Sequence, residues 1–419
     1  MKKLVITLSI ILALMLSYLA ARSVYRHYSS GQKQAAASVS VSVPEPEPEP
    51  APAPESSPVT RGAPLVLLDD EEVTAEIQRI AEEYDTVGIQ VAIINNGEVI
   101  ASFADGWATL DEDPMTTEHK IRIASVSKVI VGMTAMLLQE DGVIDIDADI
   151  GEYWDVESRN PEYPDIPITI RTILNHTSTL SNYEYDFSSA SSIRNRLTYS
   201  YISAEPGKIE SWCYNNYAFQ VLGATLEVAS DRLVDDILRD RLFDRMDIDA
   251  SFANGDIENT DLLATLYRGY TVEQSVGTQK SFHMDQTPGE NGIYFAGGLT
   301  ISAEDLAKLV ALLANDGVYQ HQQLLQSSSV ALMETYSKQS LEDGTYQALP
   351  LLFVPNLYGR KGIYFHSGAA YGVLSCISYN PVSGDGVVVL TTGADGGADR
   401  YGIYKVCDEI NEYIYGIIR

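Results

Sequence analysis

The order of apolar and polar positions divides the chain into an apolar leader, a proline-rich stretch and a long patterned remainder. From Leu4 to Ala21 the chain is almost continuously apolar behind Lys2 and Lys3, which predicts a secretory signal or a single membrane anchor over residues 1–28. Tyr18, Leu19 and Arg22 occupy the places where a cleavage site needs small residues, so a retained anchor is the expectation. In "PEPEPEPAPAPESSP" (44–58) alternating proline forbids both helix and ladder. Residues 29–67 should therefore form a disordered Pro/Glu-rich linker, stiff in its polyproline part, that lifts the rest of the chain off the membrane.

Regular patterning starts near residue 68. "EEVTAEIQRIAEEY" has helical period, and "VGIQVAIINNGEVIASFADGWA" reads as two strands around Asn95-Asn96-Gly97, a hairpin signal. From about 120 to 315 the pattern is mostly helical. Strands return at "GIYFHSG", "GVLSCISYNP" and "GVVVLTTG", with a turn at Ser383-Gly384-Asp385-Gly386, and "RYGIYKVCDEINEYIYGII" closes the chain as a helix. Strands at both ends predict an α+β fold, an α/β sandwich. In it an antiparallel β-sheet, left and rejoined by the chain, is flanked by helices and carries an inserted all-helical subdomain. Residues 68–419 would form this catalytic domain, with a site in the cleft beside the insertion.

Composition narrows the chemistry. With 419 residues and 45% apolar content a large core is available. The formal charge of −30, partly linker glutamate, comes without a basic stripe and excludes nucleic acid as a partner. Cys213, Cys376 and Cys407 lack metal-ligand spacing and are expected as buried free thiols, although export would permit a Cys376–Cys407 bridge. The six histidines include no His-Glu-x-x-His, so neither a metal nor another cofactor is called for. "DIDADIGEYWD" (145–155) alternates aspartates like a calcium loop. Its glycine comes one place late, and Val156 stands where the bidentate glutamate belongs, so an acidic surface loop is expected.

Three short motifs carry the candidate chemistry. Ser125 and Lys128, in "IASVSKVIVGMTAML", lie three apart where an apolar helix begins, on one helical face. A second Ser-x-x-Lys, Ser30 to Lys33, falls in the linker. Tyr214-Asn215-Asn216 and His366-Ser367-Gly368 follow Ser125 in order. A serine hydroxyl needs a neighbour to take its proton. A lysine does so only when neutral, as burial favours, and a helix start sets a positive dipole end beneath the serine.

"IRIASVSK", "TIRTILNHTSTLSN", "PGKIESWCYNNYAFQVLGATLE", "AGGLTISAEDLAKL" and "HSGAAYG", spread over most of residues 70–415, resemble the serine penicillin-recognising enzymes. That group comprises class C β-lactamases, D,D-carboxypeptidases, D-aminopeptidases and related esterases. The resemblance implies Ser125 as nucleophile and Lys128 with Tyr214 as the proton-transfer pair, leaving open which is the primary base. It implies an oxyanion hole from the backbone N–H groups of Ser125 and Ala369, and Asn216 on the substrate's amide carbonyl. His366, Ser367 and Gly368 would form the opposite wall on an edge strand. His176 matches a family landmark read as structural, and Thr179 replaces the family's usual glycine. Class C enzymes carry Lys-Thr-Gly at the third motif; His-Ser-Gly points instead to the peptidases and esterases, with Arg360 and Lys361 upstream as compensating cations. The expectation is an extracytoplasmic, membrane-anchored serine hydrolase of the D,D-peptidase type, a penicillin-binding protein acting on D-amino-acid peptides of the cell wall. Its partners would be a small peptide or β-lactam-like substrate and, through the N-terminal segment, the membrane. A β-lactamase or esterase, and a β-lactam-acylated receptor that does not turn over, are the alternatives.

Overall fold

The computed structural model describes residues 70–182 and 187–418; the apolar leader, the Ser30–Lys33 pair and the proline-rich linker lie outside them. The sheet begins with the hairpin. Strands β1 (Gly88–Asn95) and β2 (Glu98–Thr109) pair antiparallel. Asn96 and Gly97, at φ of 55° and 80°, supply the two left-handed residues that a type I′ turn requires. A short β3 (Asp113–Pro114) extends β2. The chain then leaves the sheet and returns as β4 (Tyr346–Gln347), β5 (Leu352–Leu357), β6 (Arg360–Ala370), β7 (Val373–Asn380) and β8 (Asp385–Thr392). The spatial order is β4-β5-β6-β7-β8-β1-β2-β3, antiparallel throughout, so β1 pairs β8 with Val91 opposite Val389.

Both faces of this sheet are covered, which is why β1 is buried along its whole length. Ile89, Val91 and Ile93 pack under α1 (Asp70–Glu83) and the C-terminal helix α5 (Lys405–Ile417), with Ile77, Ile410 and Ile414. Ala92 and Ile94 face the larger core on the other side. That core holds α2 (Ser127–Glu140), α3 (Asn216–Ser230) and α4 (Ala303–Ala314). The result is a helix–sheet–helix sandwich with one helical layer enlarged. Helix α4, read from sequence within the inserted stretch, packs directly on β8, β1 and β2. The same stretch also holds short two-stranded ladders, Ile121–Arg122 with Thr300–Ile301 and Leu266–Arg268 with Thr271–Gln274.

Three local readings are corrected. Strand β5 has no counterpart in the sequence reading because Pro355 interrupts its pattern. The ladder to β6 skips that residue, pairing Val354 with Ile363 and Asn356 with Lys361. The closing helix starts at Lys405 rather than Arg400: the Asp399 carboxylate accepts from the Tyr401 and Ile403 amides (both 2.8 Å), forming a turn. Cys213 is exposed, while Cys376 and Cys407 are buried, and all three are free thiols. In the acidic 145–155 loop, Asp147 pairs with Arg171 and Asp149 with Arg159.

Candidate active site

Ser125 sits in a single 3₁₀ turn, Ala124–Val126, that leads straight into α2. Ala124 has φ of 49°, a left-handed conformation that an L residue adopts only when its surroundings hold it there. The clamps are specific. Ile123 N–H donates to the Leu299 carbonyl (2.9 Å), and Leu299 N–H donates to Ser127 Oγ (3.1 Å). Arg122 Nε donates to the Gly297 carbonyl (2.7 Å), and Ser375 Oγ on β7 donates to the Ile123 carbonyl (2.8 Å). The nucleophile's turn is thus pinned between the 296–301 segment and the sheet.

Lys128, one helical turn on, is fully buried. Its Nζ lies 3.0 Å from Ser125 Oγ and donates to the Ala296 carbonyl at 2.6 Å, with the Tyr214 and Phe219 rings at 5.0 and 5.6 Å. No carboxylate pairs with it among the described contacts. Burial alone lowers its pKa from 10.5 to about 7, because an ammonium loses its hydration and gains no counter-charge. In the free-amine form the 3.0 Å contact reverses, the Ser125 hydroxyl donating to the nitrogen lone pair.

Tyr214 completes the group. Although 37% exposed towards the cleft, the side chain is desolvated by its neighbours, which pushes its pKa up to about 12 against a smaller lowering from the hydrogen bond of Ser125, so near neutral pH it is a phenol that can give a proton. His176 sets its position. The imidazole is buried, its ring centroid lies 4.6 Å from that of Tyr214, and its Nδ1 accepts from the Asn215 amide at 3.2 Å. Nδ1 is therefore the unprotonated nitrogen, and burial with Lys128 and His366 nearby holds the ring well below its ordinary pKa. Asn215 caps α3, accepting from Ala218 N–H (2.9 Å) and donating to the Leu180 carbonyl (2.6 Å). That cap leaves Asn216, the next residue, facing the cleft. Thr179 keeps the left-handed backbone (φ 60°) that suits glycine, held by a 3.0 Å bond from Asn160 to its Oγ1.

The opposite side is the edge of β6. Strand β5 pairs with it only up to Phe365, so His366–Ala370 present an unpaired edge to the cleft. His366 and Ser367 both line the cleft along that edge, their side chains leaving the strand on opposite faces. Ser367 lies opposite Cys376 in the ladder and shares its face, towards α5, whereas Gly368 lies opposite Ser375, on the face of the Ser125 turn. His366 donates from Nδ1 to the Ser367 carbonyl (2.8 Å), and burial, helped by Lys128, lowers its pKa to about 3. It is a neutral ring. Gly368 is required by close approach: a Cβ there would lie 2.9 Å from Ser125 N and 2.7 Å from the Ile123 carbonyl. Ala369 lines the cleft with Ser125.

The cleft has a volume of about 370 Å³, walled further by Trp212, Leu341, Gln347, Leu352, Tyr401 and Tyr404. Among the described residues no lysine or arginine lines it. Arg360 is turned away, donating to the carbonyls of Tyr415 (3.3 Å) and Ile418 at the C-terminal end, so neither it nor Lys361 supplies the compensating cation expected from sequence. Sequence reasoning also missed Ser375, Ala296 and the Tyr401–Tyr404 wall. Ala296 stands in a quoted motif, yet its role is a backbone carbonyl and carries no side-chain signature.

The family model described as Beta-lactamase matches residues 73–406. The chain belongs to that family. Within it, the chain is 25% identical to penicillin-binding protein 4 of Amycolatopsis lactamdurans over 290 residues, 67% of this chain and 74% of that protein. It is 29% identical to a D-aminopeptidase of Brucella anthropi over 189 residues, 42% of this chain but only 34% of that protein. The fold matches the beta-lactamase/D-alanine carboxypeptidase of Yersinia pestis with a TM-score of 0.64 at 16% identity, over 84% of this chain and 100% of that one.

Proposed function

We propose that this member of the family is a hydrolase that forms an acyl-enzyme on Ser125 and acts on D-amino-acid peptides, as a D-peptidase of the penicillin-binding type. The observation that carries the reading is the buried, unpaired Lys128 amine 3.0 Å from Ser125 Oγ. The free amine takes the hydroxyl proton as Oγ bonds to the substrate carbonyl carbon. Negative charge gathers on the carbonyl oxygen, opposite the backbone N–H groups of Ser125 and Ala369. The C–N bond then breaks while the Tyr214 phenol delivers a proton to the leaving nitrogen and is reprotonated from Lys128. Water attacks the ester in the second half, its proton passing to the same pair, and the C–Oγ bond breaks as that pair returns a proton to Ser125 Oγ. In this reading Lys128 is the primary base, because Tyr214 holds its proton to about pH 12. The family relatives named penicillin-binding protein and D-aminopeptidase support a D-configured substrate.

The absence of a cation among the described lining residues favours a second reading for the same site, an esterase taking uncharged acyl donors. A panel of D-Ala-D-Ala peptides, D-amino-acid amides, a short ester and a chromogenic cephalosporin separates the two. Preferential cleavage of D-peptides or D-amides is expected. Ester cleavage alone overturns the peptidase reading, and labelling without turnover of anything would make the protein a β-lactam receptor. We place the catalytic domain outside the cytoplasm, on an anchor formed by Leu4–Ala21.

A further inference from the structure

Gln347 is a buried amide with both of its ends in use beside the cleft. It stands on β4, where its backbone is engaged on both sides: its N–H donates to Ser337 Oγ (3.2 Å) and its carbonyl accepts from Ser337 N–H (2.8 Å). The side chain accepts the Trp212 indole N–H on Oε1 at 2.7 Å. Its Nε2 faces the carbonyls of Ala348 (3.0 Å), Leu351 (3.3 Å) and Pro350 (3.4 Å). The amide can sit only one way round, since an indole N–H only donates and a carbonyl only accepts.

The two ends lead to the two halves of the proton-transfer pair. On the Nε2 side, the 348–351 turn packs on α2 at Gly132, where a Cβ would come within 2.7 Å of Pro350 Cδ. Gly132 lies one helical turn after Lys128, on the same face. On the Oε1 side, Trp212 stands two residues ahead of Tyr214. From the helical side that segment is held by His176, whose carbonyl accepts from Cys213 N–H at 2.9 Å and whose Nδ1 accepts from Asn215 N–H at 3.2 Å. Tyr214 lies between these bonds with its side chain partly open to the cleft, so the anchors on either side of it have to fix its phenol. Trp212 and Gln347 both line the cleft, and their bond ties the Tyr214 segment to the sheet. Proton transfer needs donor and acceptor within roughly 2.6–3.2 Å, and a misplacement of about 1 Å costs on the order of 10²-fold.

We propose that Gln347 is a positioning residue for proton delivery to the leaving group, acting through Trp212 to hold Tyr214 at a fixed reach from Lys128 and Ser125. This rests on the acyl-enzyme reading of Ser125 and deepens it: the role predicts a dependence on the leaving group. A nitrophenolate departs without a proton. An alkoxide or amine must receive one as its bond to the acyl carbon breaks; the Tyr214 phenol gives it and is reprotonated from Lys128. Loss of the Gln347 anchor is therefore felt according to the leaving group's need of a proton, whereas a bond that merely held the fold together would slow every substrate alike.

Two esters of acetyl-D-alanine, with nitrophenol and with ethanol as leaving groups, test this in the full-length protein, acylation being followed by rapid quench and mass spectrometry. Gln347→Leu should lower the ethyl-to-nitrophenyl rate ratio at least about tenfold. Trp212→Phe, which removes the other partner of the same bond, should lower it in the same direction. Because the ratio is internal to each preparation, partial misfolding does not distort it. Tyr214→Phe should lower it at least as far, and adding Gln347→Leu to Tyr214→Phe should lower it no further, since one acts through the other. Equal slowing of both esters in the Gln347 and Trp212 variants, or a loss that multiplies with that of Tyr214→Phe, would overturn the proposal. A parent acylated by the nitrophenyl ester alone would overturn it too, since no proton is then being delivered. Label on a serine other than Ser125 would overturn the acyl-enzyme reading instead.

Discussion

Lys128 makes the mechanism measurable, because one buried amine sets both a rate and a stability. With its pKa lowered to about 7 by burial, about half of the molecules hold the free amine at pH 7. An amine at its ordinary value would be free in only roughly 3 molecules per 10⁴. Burial therefore raises the reactive form on the order of 10³-fold. The acylation rate should climb about tenfold per pH unit below 7 and level off above 8. No second limb should appear between pH 5 and 10, since Tyr214 titrates near 12 and His366 near 3. The same burial opposes folding. Between pH 7 and 10.5 the unfolded chain holds a proton on this lysine that the folded chain does not, so stability rises with pH across that window. Below pH 7 the full penalty, about 4–5 kcal/mol, is present. Lys128→Met should abolish acylation yet stabilise the protein by about 2–3 kcal/mol at pH 7, allowing about 1 kcal/mol for each of the two hydrogen bonds lost. The gain should vanish near pH 9 and become a loss of about 1–2 kcal/mol by pH 10.5. Stopped-flow acylation by a chromogenic ester from pH 5.5 to 9.5, with urea unfolding of both proteins at several pH values, gives both curves. A rate still rising through pH 9, or a Met variant no more stable than the parent, would refute the assignment.

Ser125→Ala should remove all fluorescent-penicillin labelling, and in the parent the penicilloyl adduct should persist for minutes or longer, because the carboxylate found among the described lining residues, Asp343, is engaged by the Thr345 amide and hydroxyl (2.8 and 2.7 Å) rather than free to activate water; an adduct lost within seconds, read by intact mass, contradicts this. Lys128→Ala and Tyr214→Phe should each slow acylation at least about 10²-fold, and the double variant should be little worse, since they hand on one proton; additive losses would mean separate roles. Gly368→Ala should reduce acylation about 10²- to 10³-fold, as loss of an oxyanion donor does, with an unaltered circular dichroism spectrum. His366→Lys should improve binding of substrates bearing a carboxylate, seen as a lower KM for them and no gain for a neutral ester.

The hairpin, the return of the chain to its sheet and the three chemical motifs were legible because each depends on local pattern: Asn96-Gly97 on backbone handedness, β7 and β8 on apolar runs, Ser125 and Lys128 on helical spacing. What escaped depends on partners distant in sequence. Strand β5 hid behind Pro355, which is tolerated because the ladder skips it. Ser375 reads as an ordinary strand serine until the Ile123 carbonyl is set against it. Arg360 looked like a cation for the cleft, and its actual partners lie at the far C-terminal end. The division of His366 and Ser367 across the edge follows from strand alternation, and only the register with Cys376 tells which face is which.

The pairing of β1 with β8 has a consequence for synthesis. Asn95, closing the first strand, hydrogen-bonds Asp385, which lies 290 residues later. At the roughly 5–20 residues per second of translation, that interval lasts on the order of 15–60 s. During it the first hairpin has one long apolar side with nothing to pair against. The sheet side of the clamp on the nucleophile is equally late, for Gly368 and Ser375 belong to β6 and β7. A nascent chain, or one truncated before them, would hold the turn of Ser125 from the 296–301 segment alone. Competence thus arrives all at once with the last strands, and whatever escorts the unfinished chain must guard an open sheet edge until then.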